Sequence, residues 1–242
     1  MQGIKTVRDI VVEDYRTADV FKKWGINYCC GGNLPLAEAC ALNHINQEHL
    51  VQELKTATKN ITLPNSTGFD EWPLAFLTDY ILFVHHQYLK KVLPQLRQLL
   101  ASFVPGHLKQ YPHLANVQET FLNLASELDE HMAAEEESIF PYLKQISSTY
   151  LQREVYGSLF VRTMRKPLAG IVEKEHGRIA WLLQHLRTQT GYYSYGVKAC
   201  PNYQVIYNKL KEFDADLVQH KHLENNVLFP KAIEMEKSLL QV

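Results

Sequence analysis

From residue 73 onward the apolar positions recur every three or four residues through four long stretches, roughly 73–103, 112–146, 167–190 and 202–240. That spacing is the period of an amphipathic helix, and few stretches alternate in the manner of a strand. In GIVEKEHGRIAWLL, Ile171, Val172, Ile179, Leu182 and Leu183 mark one buried stripe. Each stretch is long enough to cross a domain, so the pattern predicts an antiparallel four-helix bundle over 73–242. Pro73 and Pro167 suit the first turn of a helix, where a missing N–H costs nothing. The 147–166 segment reads as a connection with a short helix of its own. GYYSYG (191–196) reads as the turn before the last helix, although its three Tyr would equally suit packing on a partner.

The first 58 residues carry shorter stripes. Val7, Ile10 and Val11 form one; Ala18, Val20, Phe21 and Trp24 form a second that stops at Gly25. Further short helices are expected over about 35–42 and 46–54, the last with Asn46 as its N-cap. KNITLPNSTGFDEW (59–72) gathers turn-forming residues and is expected to be a linker. The fold class expected is therefore all-α: a small helical domain (1–58), a linker (59–72) and the bundle (73–242).

Composition narrows the function classes. With 46% hydrophobic and 21% charged residues among 242, there is apolar material for a core, which excludes disorder over most of the chain. Net charge is -1, with no basic excess to neutralise phosphates or anionic lipid, so neither nucleic acid nor a membrane surface is an expected partner. The first residues are too charged for a signal peptide and no later run approaches ~18 apolar residues, so a cytoplasmic location is expected. Four cysteines (Cys29, Cys30, Cys40, Cys200) are too few and too unevenly spaced for a disulfide scaffold. What stands out is 11 His.

The histidines repeat in order. His131 is followed by Glu135, Phe140 and Pro141; His220 is followed at the same offsets by Glu224, Phe229 and Pro230, and the two sets lie 89 residues apart at all four positions. The helix preceding each also carries a His, namely His86 and His176, 45 and 44 residues upstream. Two more pairs have the His-x-x-x-Glu spacing, His44 with Glu48 and His49 with Glu53, but neither has Phe-Pro at the matching offsets. The bundle thus reads as two copies of a helical hairpin, each supplying one His and then His-x-x-x-Glu.

Residues i and i+4 lie one turn apart on one helix face, so His and Glu at that spacing can enter the same cavity. Four imidazoles with two carboxylates that bridge across a pseudo-twofold axis make a dinuclear metal site. This donor set favours iron while admitting zinc or manganese, and its lack of thiolates argues against an iron–sulfur cluster in the bundle. Of the adjacent His85 and His86, only one is expected to face the core, and His86 aligns better with Leu82, Leu89 and Leu93. Glu127, one turn before His131, and Glu175, directly before His176, either line an acidic path to the metals or belong to solvated faces. Cys29 and Cys30 would strain a disulfide between themselves. They read as a redox or metal-transfer pair, or else as two small apolar residues of a mini-core.

TADVFKKWGINYCCGG (17–32), the following LAEAC, and the ligand pattern ending in HLENNVLFP together resemble the repair-of-iron-centres family, whose members join a small N-terminal domain to a hemerythrin-like di-iron bundle. The likeness covers essentially the whole chain. It implies the metal ligands His86, His131, Glu135, His176, His220 and Glu224, with His86 selected because it stands eight residues before Pro94, as in the family's HHxYLxxxLP stretch. The first connection departs from the family's His-rich pattern, having Pro105 and Tyr111 at such places, so no role follows for His107 or His113. The resemblance further implies a carboxylate-bridged centre of two iron ions in a stress protein that helps restore iron–sulfur clusters damaged by nitric oxide or oxidants, by donating iron. Its partners would be client iron–sulfur proteins, NO or O2 as small ligands, and a second copy of the chain in a homodimer. Ala180, four residues after His176, cannot ligate, which leaves open positions on the metals. Two other functions remain: a redox enzyme reducing NO or peroxide with the cysteines as relay, and an O2 or NO sensor.

Overall fold

The computed structural model describes residues 5–29, 32–59, 68–153, 156–163 and 168–241, the side chains of 168–176 excepted. Cys30, Pro167 and most of the expected linker (60–67) fall outside the described residues, as do the side chains of Glu175 and His176. Regular structure among the described residues is helical, with one isolated bridge between Thr6 and Pro35, as the all-α expectation requires. None of these helices is long and apolar enough to cross a membrane. The chain forms two compact units, Met1–Asn65 with Thr190–Lys211, and Ser66–Gln189 with Glu212–Val242.

The smaller unit holds α1 (Val7–Glu13), α2 (Thr17–Lys23), α3 (Leu36–Leu42) and α4 (Gln47–Ala57). Thr6 and Asp9 cap α1 reciprocally, and the Asn46 side chain accepts from the His49 N–H to open α4. The apolar stripes converge on a core of Val7, Val11, Ala18, Phe21, Ile26, Tyr28, Leu50 and Leu54, joined by Val205. Lys209 adds a 2.6 Å ion pair to Asp19. In the turn after the cysteines, Gly32 has no substitute, because a Cβ there would stand 2.2 Å from the Tyr28 carbonyl oxygen.

The larger unit is the bundle. Its first rod is α5 (Leu74–Tyr80), a π turn (Ile81–His86) and α6 (Gln87–His107); its second is α7 (Leu114–Ala134), a π turn (Glu135–Ile139) and α8 (Phe140–Gln152). After the short α9 (Gly157–Thr163), α10 (Leu168–Gln189) forms the third rod. The fourth runs through α11 (Pro201–Leu223), a π turn (Glu224–Leu228) and α12 (Phe229–Leu240), with its residues from Glu212 onward in this unit. Helix α7 packs on α6 and α10, while α8 packs on α5 and α12. The short helix expected in the 147–166 connection is α9, although α8 runs on to Gln152.

Two of the three π turns have a local cause. Each stands directly before a Phe-Pro pair, Phe140-Pro141 and Phe229-Pro230. Proline has no N–H and its ring crowds the carbonyl four residues back, so the ladder widens there instead of continuing as α-helix. In both rods the Phe N–H donates to the carbonyl of the ligand-position Glu, five residues back: Phe140 to Glu135 and Phe229 to Glu224. The first rod's π turn has no proline at its end, and its sequence offers no comparable cause.

Candidate metal centre

The repeated His and Glu positions meet at one level of the bundle. His86 ends the first π turn, His131 lies in the last turn of α7, and Glu135 opens the π turn that follows. His220 and Glu224 repeat that arrangement on the fourth rod. Along the first rod, Leu77 and Ile81 precede His86 and Leu89 and Leu93 follow it, all fully buried. His86, Glu135, His220 and Glu224 are buried, and each offers a donor atom within 4.8 Å of those of the other three. His131 Nε2 stands 3.3 Å from Glu135 Oε2 and 3.7 Å from Glu224 Oε2. His220 Nε2 lies 2.5 Å from Glu224 Oε1, and His86 Nε2 lies 3.3 Å from Glu135 Oε2. Five of the six residues singled out as ligands are thus brought together; the sixth, His176, is on α10 with its side chain outside the description.

Two buried carboxylates facing three buried imidazoles make an expensive pocket unless a cation compensates them. His86 Nε2 and His220 Nδ1 are buried with no hydrogen bond to any described residue. Burial first, and then the facing His220, push the pKa of His86 down to about 4, against the opposing pull of Glu136 and Glu224. Burial alone would raise the Glu224 carboxyl, but His220, Lys221 and hydrogen bonds from His131 and His220 outweigh it and hold the group well below its usual value. At neutral pH the pocket therefore presents a neutral imidazole at His86 and a carboxylate at Glu224, the forms that bind metals. The residues present fit a metal ion: the pocket is a buried His and Glu cluster with the donor set to hold one.

Carboxylates outside the pocket orient its donors. Glu136 Oε1 lies 2.8 Å from His86 Nδ1, and its other oxygen takes Lys90 Nζ at 2.6 Å. A carboxylate on Nδ1 leaves the His86 Nε2 lone pair for the pocket, the usual support for a metal-binding imidazole. Phe140 of the first Phe-Pro pair stacks on the His86 ring at 5.2 Å. Lys221 holds Glu224 Oε2 at 2.9 Å.

The expectation that only one of His85 and His86 faces the core is corrected, since both are buried, at 3% and 0% exposure. The cause is the π turn over Ile81–His86, in which an extra residue per turn narrows the angle between neighbouring side chains and lets both point inward. Sequence reasoning based on the α-helical period could not find this, and it also missed Glu136 and Asp216, the acceptors beside the two rings.

Of the remaining singled-out residues, Glu127 is partly exposed and ion-paired with Arg178. Cys29 is partly buried against the small core, with its N–H donating to Asn27 Oδ1 at 3.0 Å. Burial, with smaller contributions from Asp19, Cys29 and Cys200, pushes the nearby Tyr28 hydroxyl up to about 12. His49, itself exposed, pairs with Glu53 at 3.6 Å.

Two families of known proteins match separate stretches of the chain. Residues 3–58 match the ScdA_N family, described as Domain of Unknown function (DUF542), and residues 77–232 match the family described as Hemerythrin HHE cation binding domain. An iron-sulfur cluster repair protein ScdA from Staphylococcus haemolyticus is 26% identical, over 93% of this chain and 96% of that protein. An iron-sulfur cluster repair protein YtfE from Escherichia coli is 28% identical, over 91% of this chain and 93% of that protein, and a YtfE from Shigella boydii matches to the same extent. With its second match covering well over half of its length, the chain belongs to the hemerythrin HHE cation-binding family, in the form that carries an N-terminal ScdA_N domain.

Proposed function

We propose that this protein holds two iron ions in the bundle and helps repair iron–sulfur clusters damaged by nitrosative or oxidative stress by donating iron to client proteins. The observation that carries the reading is the buried group of His86, Glu135, His220 and Glu224, four donors within 4.8 Å of one another. The relatives named as iron-sulfur cluster repair proteins, matched nearly end to end, support the same assignment. His86, His131 and Glu135 from one hairpin and His176, His220 and Glu224 from the other would hold the pair, with the carboxylates shared. Bound iron supplies Lewis acidity and open positions for small ligands such as NO or O2. The protein's own part is to bury the donors, to keep His86 neutral and Glu224 ionised, to aim His86 through Glu136, and to hold Glu224 through Lys221. Cys29 and Cys30 would take iron from the bundle toward the client, with Glu127 and Glu175 on the way out.

The test is metal analysis and spectroscopy of protein purified without oxygen, followed by incubation with an apo iron–sulfur protein. Two irons per chain that are consumed as the client's cluster returns are expected. One metal or none per chain overturns the dinuclear reading. Sustained NO turnover with a reductant, without loss of iron, replaces donation with catalysis.

A further inference from the structure

His85 is buried beside the metal pocket, yet it belongs to neither the ligand set nor the apolar core. Its Nδ1 lies 3.0 Å from Asp216 Oδ1, and its ring is parallel to that of His220, with centroids 5.5 Å apart and planes at 7°. Tyr80 meets its edge at 5.7 Å. Because a carboxylate oxygen accepts, a neutral His85 ring places its hydrogen on Nδ1 and leaves a lone pair on Nε2. That Nε2 is buried and has no hydrogen-bond partner among the described residues. An acceptor in such a place costs stability unless something in the pocket donates to it.

The repeat sharpens the point. Asp216 stands four residues before His220 as Glu127 does before His131, and His85 precedes His86 as Glu175 precedes His176. Yet Glu127 pairs with the exposed Arg178, whereas a buried imidazole, His85, pairs with the partly buried Asp216. The two hairpins therefore give the centre different surroundings, and the His220 side has an oriented acceptor.

We propose that His85, aimed by Asp216, is a positioning residue of the metal centre: its Nε2 accepts a hydrogen bond from water on the metal at the His220 side and holds that position against anions that bring no proton. The proposal rests on the dinuclear reading above. It concerns which small ligands the centre admits, since a ligand that can donate to Nε2 is favoured over one that cannot.

Azide is a suitable probe, as the bound anion has no hydrogen to donate. The full chain is loaded with iron and oxidised, its metal content is measured, and azide is titrated by visible absorption. Loss of one hydrogen bond predicts that His85→Phe keeps its iron and binds azide about 3- to 10-fold more tightly. His85→Gln, whose amide oxygen can still accept near the Nε2 position, should return toward the wild-type affinity. If His85→Phe does not fold, Asp216→Ala removes the aiming acceptor and should shift azide affinity in the same direction. Unchanged azide affinity with unchanged iron overturns the proposal, and so does loss of iron from His85→Phe, which would make His85 a ligand. Wild-type protein that takes up fewer than two irons fails the dinuclear reading itself, a result distinct from either of these.

Discussion

Glu136 lies outside the pocket yet governs one of its donors, since its carboxylate sits between His86 Nδ1 and Lys90. Removing it leaves His86 free to turn and lowers the basicity of its Nε2. Glu136→Ala should therefore weaken metal binding about 10- to 100-fold, read by competition with a chelator, while the helix content is unchanged. His86 also predicts how the metal-free protein responds to acid. In the unfolded chain it takes a proton near its ordinary 6.5, whereas in the folded chain burial delays this to about 4. Acid in that interval therefore favours the unfolded chain: stability is full above the unfolded value and declines as pH falls toward the folded one. Glu224, held well below its ordinary pKa, adds a further loss at lower pH. The thermal midpoint of metal-free protein should fall steadily from about pH 7 to pH 5; a flat midpoint would contradict the burial of a neutral His86. Residue identities made most of this centre legible, because His-x-x-x-Glu repeated 89 residues apart marks a site that no single pair could mark. Glu136 and Asp216 could not be read in the same way, since each acts across to another rod.

The π turns are what the helical period fails to express. A sequence read at a fixed angle per residue puts His85 and His86 on different faces, and that reading holds only while every turn is an α turn. The Phe-Pro pairs were visible as punctuation of the repeat, but their effect on the backbone before them became plain only in the structure. That effect can be tested on the fourth rod. Pro230→Ala restores an N–H and removes the ring that crowds the preceding carbonyl, so the turn at Glu224–Leu228 should tighten toward an α-helix. The expected result is a metal-free protein at least as stable as the original that binds metal more weakly, because Glu224 no longer keeps its register with the residues beyond it. Equal metal affinity in this variant would show that the proline does not set the ligand geometry. Capping was easier to read: Asn46 opens α4 as its side chain and position indicated.

At the scale of the molecule, two periodic patterns were legible as two kinds of helical architecture. The sequence held no sign that Thr190–Lys211 clusters with the N-terminal residues, because Val205 joins that core from within a longer apolar pattern. Division of labour between the two units is testable. Replacing Cys29 and Cys30 together by Ser should impair cluster repair with the bundle's iron content unchanged; loss of that iron would contradict the separation. The position of the carboxylates along their rods has a further consequence for how iron is given up. Beyond them α8 continues for 13 residues and α12 for 12, so Glu135 and Glu224 lie far from any helix end. Fraying is cheapest at such ends and does not extend to these positions. On the proposed donation, iron would leave by stepwise replacement of one donor atom after another by an incoming group, so its transfer rate should keep rising with the concentration of the acceptor and not level off at the rate at which the chain opens.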